Sequence, residues 1–200
     1  MSALIAGIPS WFIPVLILLV SIIALTIILE RGWFLLRQIQ SIEPSDEKKL
    51  LEWVKQKDYT SAIAFCRAQN HPAYARVLAV LEAKEQGLDF RNLAEEEGLK
   101  QLSILEKYIP TLGTISTIAP LLGLLGTVTG MIKSFRAFEQ SASRSSALMG
   151  GIDEALITTA LGLIVAIPSL IMYNYYVRRI NTLTEEGNIL VNMVMEILEE

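Results

Sequence analysis

No Asp, Glu, Lys, Arg or His occurs between Met1 and Leu29, between Tyr108 and Ile132, or between Ala155 and Val177. An α-helix crosses the hydrocarbon of a bilayer with about 20 apolar residues, and each of the three stretches is long enough. Only 19% of the chain is charged and 52% is hydrophobic, where a globular domain carries about a quarter charged residues. These features exclude a simple soluble enzyme domain and a disordered chain. The net charge of −4 also argues against a nucleic-acid binder, whose footprint is basic. The expected fold class is all-α: an integral membrane protein with three transmembrane helices.

Lysine and arginine set the expected orientation, because they concentrate on the cytoplasmic side of spans. None precedes the first span, twelve lie between Arg31 and Lys107, three between Lys133 and Arg144, and two directly follow the third span as Arg178 and Arg179. The resulting division is 1–29, external N-terminus and first transmembrane helix; 30–107, cytoplasmic helical region; 108–132, second transmembrane helix; 133–153, short external connection; 154–177, third transmembrane helix; and 178–200, cytoplasmic C-terminal helix. The first apolar stretch has no basic residue before it and no cleavage motif after it, only Glu30-Arg31-Gly32, so it reads as a permanent span. Cys66 is the sole cysteine, which leaves no disulfide framework and no cysteine-based metal site. His71, the single histidine, precedes Pro72 and reads as a loop or helix-start residue.

The cytoplasmic region reads as helical. Apolar residues recur at helical spacing in Leu50, Leu51, Val54 and in Ala75, Leu78, Ala79, Ala83. Turns are expected at Pro44-Ser45-Asp46 and Asn70-His71-Pro72, with Ser45 or Asp46 as an N-cap. From Phe90 to Lys107 no breaker occurs except Gly98, so one long helix is expected to run unbroken into the second span. In the tail, Ile189, Leu190, Met193, Val194, Ile197 and Leu198 form one apolar side. That side continues the third span as an amphipathic helix and calls for a partner surface, with another copy of the chain the first candidate.

The second and third spans carry periodic small and hydroxyl residues. Ser116, Pro120, Gly123, Thr127 and Gly130 repeat at four, three, four and three; Ala155, Thr159, Gly162, Ala166, Ser169 and Tyr173 do so at four, three, four, three and four. Each set is a stripe down one helix face. Small residues permit close helix approach and hydroxyls supply interhelical hydrogen bonds, so helix packing is one reading of both stripes. Pro120 and Pro168 interrupt the backbone ladder and are hinge or kink candidates, with Gly123 and Gly162 as secondary pore candidates. Thr127 lies six residues before Lys133, and Thr159 six after Asp153. At about 1.5 Å per residue both hydroxyls sit roughly 9 Å inside the outer boundary. A ring of hydroxyls follows if several copies assemble. Glu154 begins the third helix in this reading. It is either an N-terminal cap favoured by the helix dipole or a charge at the mouth of an ion path.

At this point the residues resemble a known family. Ala119-Pro120-Leu121-Leu122-Gly123-Leu124-Leu125-Gly126-Thr127-Val128-Thr129-Gly130-Met131, followed by Phe135, is similar to the second-span signature of the MotA/TolQ/ExbB proton-channel family. Gly151-Ile152-Asp153-Glu154-Ala155-Leu156 with Thr159, Gly162-Leu163, Ala166-Ile167-Pro168 and Tyr173-Asn174 is similar to its third-span signature. The stretch from His71-Pro72 to Leu81 looks like the family's cytoplasmic helix. The likeness runs from about Phe12 to Arg179 and is greatest for the ExbB and TolQ branch, which has three spans, an external N-terminus and a large first cytoplasmic loop. The flagellar branch has four spans and a larger cytoplasmic domain.

The resemblance implies a homopentameric helix bundle around a central pore in the bacterial inner membrane. In it the second and third helices extend into the cytoplasm, the N-terminus is periplasmic and the C-terminus cytoplasmic. It implies two copies of an ExbD- or TolR-like single-span partner in the pore, and indirectly a TonB- or TolA-like protein, besides membrane lipids and no nucleic acid. In that family a partner aspartate takes up and releases the ion, and ion flow drives rotation. The positions matching the family's pore are Thr127 and Thr159, with Glu154 as the acidic residue. No cofactor is expected, and the transported ion is H+ or Na+. Thr158 beside Thr159 and Thr129 after Thr127 depart from the pattern; they reflect either packing or sodium coupling. Two function classes follow: an ion-driven motor subunit, or a structural membrane scaffold that oligomerises without conducting. An enzyme is not expected, since the chain shows no nucleophile–base pair, phosphate loop or metal cluster.

Overall fold

The computed structural model describes residues 9, 11–38, 42–140 and 144–199. They form helices α1 (Phe12–Gln38), α2 (Pro44–Lys55), α3 (Tyr59–Ala68), α4 (Pro72–Glu85), α5 (Phe90–Glu106), α6 (Ile109–Gln140) and α7 (Arg144–Glu199), with no strand among the described residues. Three helical stretches, within Phe12–Leu36, Phe90–Arg136 and Gly151–Glu199, are long and apolar enough to cross a membrane. The protein is an all-helical integral membrane protein. Residues 1–8 of the expected external N-terminus and 141–143 of the expected external connection lie outside the described residues.

The chain divides into two compact units. One comprises Met1–Glu30 and Tyr108–Asn174, the other Arg31–Lys107 and Tyr175–Glu200.

In the first unit the apolar sequence makes helix formation obligatory, because lipid offers no partner to an unpaired amide. Ile13, Ile17, Ala24 and Ile27 form the buried side of α1, while Leu18, Leu19, Ile22 and Ile23 are exposed. Such exposure suits a surface solvated by acyl chains rather than water. Helix α6 runs uninterrupted past Pro120, and α7 past Pro168. Two expectations change here. Helix α6 continues to Gln140 and α7 already begins at Arg144, so most of the 133–153 connection is helical. The expected unbroken run from Phe90 into the second span is also absent. Helix α5 ends at Glu106, and Tyr108 adopts a left-handed φ of 66° before α6 begins. Pro110 supplies the reason: it has no N–H for the Glu106 carbonyl, and its ring clashes with the carbonyl four residues back. Of the two spans expected to extend as helices, only the third does so without a break.

The second unit has a conventional apolar core. Leu50, Val54, Ala62, Cys66, Tyr74, Val77, Val80 and Leu81 are buried together with Leu190, Val191, Val194 and Leu198 from the end of α7. The apolar side of the tail is thus largely covered by helices of its own chain. The expected need for another copy there falls away, although Ile189 remains half-exposed. Helix starts are capped by Asp58, which accepts from the Ser61 amide at 3.2 Å, and by Asp89, which accepts from Arg91 N at 3.0 Å and Asn92 N at 3.4 Å. Helix α2 starts earlier than expected, with Glu43 at the N-cap in place of Ser45 or Asp46 and Pro44 in the first turn, where a missing N–H costs nothing. His71 is the N-cap of α4, as a helix-start residue, and its Nδ1 accepts from the Ala73 amide at 3.2 Å.

Candidate ion-pathway residues

Helices α6 and α7 meet along glycines. A Cβ placed on Gly162 would lie 2.6 Å from the Ala119 carbonyl oxygen and 3.1 Å from Gly123 Cα; one on Gly123 would lie 3.0 Å from Thr159 Cα. Lower on the same seam, Gly130 faces Ala155 and Gly151 faces Ser134. Backbone therefore touches backbone. The two stripes read from the sequence meet each other inside one chain, which is the packing role small residues play in membranes.

Closeness of the backbones brings Thr159 within reach of α6. Its hydroxyl donates to the Gly123 carbonyl oxygen at 3.0 Å, across 36 residues of sequence. Thr127, one turn beyond Gly123 on the same face, donates to the Leu124 carbonyl at 2.7 Å. Both side chains are half-buried. With each proton committed to a backbone carbonyl, the outward oxygens of Thr127 and Thr159 act as acceptors. They are suited to a cation, or to the O–H of a protonated carboxyl, and not to a carboxylate. Gly123 and Gly162 are buried in this contact, Pro120 is half-buried on the stripe, and Pro168 is exposed.

Glu154 and the extra hydroxyls fall on another face. Because α7 starts at Arg144, Glu154 stands ten residues inside the helix (154 − 144), and its expected role as an N-terminal cap is not realised. Thr158, one turn on, donates to the Glu154 carbonyl at 2.8 Å and is buried. Its methyl occupies the space where Gly126 lacks a side chain, near Ile13 of α1. Thr129 is likewise buried and donates to the Leu125 carbonyl at 2.9 Å. Both extra hydroxyls are thus packed toward α1. Glu154, Lys133, Ser134, Thr129 and Thr158 line one cavity of about 160 Å³, which Pro9, Ile13 and Pro14 also line. The sequence reading missed Lys133 and Ser134. The signal was present in a second stripe, Gly126-Gly130-Ser134, spaced by fours and matched by Gly151-Ala155-Thr158.

Residues 65–188 match the MotA/TolQ/ExbB proton channel family. The chain belongs to that family. Within the MotA/TolQ/ExbB family it falls in the ExbB/TolQ branch, as its relatives show. It is 37% identical over 167 residues to the putative biopolymer transport protein ExbB-like 1 of Synechocystis sp., covering 80% of this chain and 65% of the relative. It is 38% identical over 106 residues to the biopolymer transport protein ExbB of Aquifex aeolicus, covering 52% of this chain and 67% of the relative. It is 36% identical over 91 residues to the Tol-Pal system protein TolQ of Haemophilus influenzae, covering 44% and 40%. The chain therefore spans less than two thirds of the length of the Synechocystis protein. The family match covers α6 and most of α7 but ends at 188, so it includes all of Thr127, Glu154, Thr158 and Thr159.

Proposed function

We propose that the chain is the pore-forming subunit of a motor in the bacterial inner membrane driven by the proton motive force. In this reading five copies surround a central pore, and two copies of an ExbD- or TolR-like single-span partner stand inside it. The assembly energises an outer-membrane or envelope process through a TonB- or TolA-like protein. The Lys and Arg distribution supports a periplasmic N-terminus and a cytoplasmic C-terminus. The names of the relatives, biopolymer transport and Tol-Pal system proteins, support the class of task.

One observation carries the reading. Thr127 and Thr159 hold their hydroxyl protons on backbone carbonyls, while the second and third charge-free stretches contain no carboxylate of their own. Such helices offer acceptors for a cation or a protonated acid yet have nothing that stores the proton. A partner carboxylate has to supply that step. Neutralised by its proton, that carboxyl donates to a threonine oxygen; ionised, it finds no donor there and must move on. The work comes from the membrane field, about 2.3 kcal/mol for each charge carried through 100 mV. H+ is the expected cargo. Na+ is the second reading of the same acceptor oxygens, and proton flux measured with and without sodium separates them. No catalysis and no cofactor enter this mechanism.

The scaffold reading rests on the glycine seam, which accounts for both stripes as packing alone. Thr159→Val decides between the two. Valine keeps the shape of threonine and loses one hydrogen bond, worth about 0.6 kcal/mol between membrane helices, too little to disperse an oligomer. Native mass spectrometry should still show five copies, and partner-dependent ion flux into liposomes should be lost. Full flux in the variant would remove Thr159 from the ion path, and a stable monomer would sink the pore.

A further inference from the structure

The cavity beside Glu154 is distinct from the Thr127–Thr159 face, and the motor reading above makes no use of it. Its volume of about 160 Å³ is well above the roughly 10–15 Å³ that one water needs. A cavity stays dry when its walls are apolar and fills when they offer polar partners. Here five of the nine lining residues from α6 and α7 carry polar side chains. Thr129, Ser134 and Thr158 are 4%, 3% and 4% exposed. Their hydroxyls donate to the carbonyls of Leu125, Gly130 and Glu154, so the oxygen lone pairs are left as acceptors. Lys133 and Glu154 also line the space, and no ion pair joins them among the described residues. A gap between unpaired opposite charges is a place for water.

The register of these groups has a direction. Thr129 and Lys133 are one turn apart on α6, as are Glu154 and Thr158 on α7. Thr129 and Thr158, the deeper members, offer only acceptor oxygens, whereas the single ammonium stands at the other end. Acceptors at depth favour a cation over an anion. On the α1 side, Pro9 and Pro14 have no N–H to offer, which leaves the Ile13 amide as the one backbone donor among the three residues lining the cavity there.

We propose that this cavity is a water-filled access chamber for the transported cation, one per subunit, lying on the α1 side of the α6–α7 seam, with Glu154 at its outer end and Thr129 and Thr158 at its deeper end. Glu154 then meets the ion from the chamber rather than from the threonine face. The proposal rests on the motor reading for the identity of its cargo. A zwitterionic phospholipid headgroup, with phosphate at Lys133 and amine at Glu154, is the competing occupant.

Single cysteines test it in the full-length protein assembled with its partner in liposomes. The native Cys66 is buried and its thiol is pushed up to about 12 by burial, so it contributes little background. Ser134→Cys and Lys133→Cys place a thiol in the chamber, and Leu19→Cys places one on the exposed apolar side of α1. A membrane-impermeant methanethiosulfonate carrying a trimethylammonium group is added from the outer side. At least one chamber thiol, in a variant that retains its oligomer size, should react at least ~10-fold faster than Leu19→Cys, and modification should cut partner-dependent flux several-fold. Equal, slow reaction at all three sites would overturn the chamber. So would fast reaction with unchanged flux, or reaction that begins only after the lipid is stripped away. Absence of flux before any modification would refute the motor reading and with it the cargo, while flux that ignores the label refutes the chamber alone.

Discussion

Gly162→Ala is the most demanding test of the glycine seam. The added methyl would start 2.6 Å from the Ala119 carbonyl oxygen, whereas ordinary contact begins at 3.4 Å, so α6 and α7 must part locally by about 0.8 Å. Neither atom belongs to a flexible side chain, and the strain cannot be relieved by a rotamer change. The Thr159–Gly123 hydrogen bond, now 3.0 Å, sits one turn away and lengthens toward the limit of bonding. Overpacking costs about 1–3 kcal/mol, and the weakened interhelical bond about 0.6 kcal/mol. The better helix propensity of alanine returns up to about 1 kcal/mol. The net loss is on the order of 1–3 kcal/mol, or roughly 2–10 °C in melting temperature for a chain of this size. Gly187→Ala is the matched control: its Cβ would lie 3.6 Å from Ala73, an ordinary contact, so the propensity gain should leave that variant unchanged or slightly more stable. Thermal unfolding of the detergent-solubilised protein, followed by loss of the oligomer peak in gel filtration, reads both. If Gly162→Ala melts with the wild type, or below it by no more than Gly187→Ala does, the seam does not hold the helices as described.

Three further outcomes follow from single residues. Burial and the Arg179 charge push the His71 imidazole below its ordinary 6.5, so the unfolded chain binds the proton more readily and stability should fall as pH drops through and below 6.5. His71→Asn keeps a capping acceptor and should flatten that dependence in melting temperatures taken between about pH 7.5 and pH 5.5; an unaltered slope would acquit His71. Cys66, being buried, should resist an impermeant maleimide in intact spheroplasts, and any accessible fraction should react only after lysis; strong labelling of intact spheroplasts would reverse the orientation. Thr158→Val keeps the methyl that fills the space beside Gly126 and removes a bond internal to one helix, so flux should fall less than in Thr159→Val, with Glu154→Gln intermediate. A Thr158→Val defect as severe as that of Thr159→Val would put both hydroxyls on the ion path.

Much of this protein was legible from residue type and spacing because lipid leaves a chain few choices. A charge-free stretch of the right length has to be a helix, since only a helix satisfies its own backbone in hydrocarbon. A three-and-four repeat of small residues has to be a helix face. The spans, the small-residue stripes through Gly123 and Gly162, and the helix-start role of His71 all follow from such local rules; the break before α6, where an unbroken helix was expected, also has a local cause in Pro110 and its carbonyl partner four residues back.

Tertiary structure decided which neighbour each face meets. Leu190, Val194 and Leu198 look from the sequence like a surface awaiting another copy, yet helices of the same chain cover them. Glu154 looks like a companion of Thr159, yet a step of five residues turns it away and the cavity joins it to Thr158, Thr129 and Lys133. Period specifies a direction around one helix axis and says nothing about what stands in that direction. That is settled by close approach between distant segments, here by the absence of a Cβ at Gly123, Gly126 and Gly162, which lets two backbones come near enough for one threonine hydroxyl to reach across.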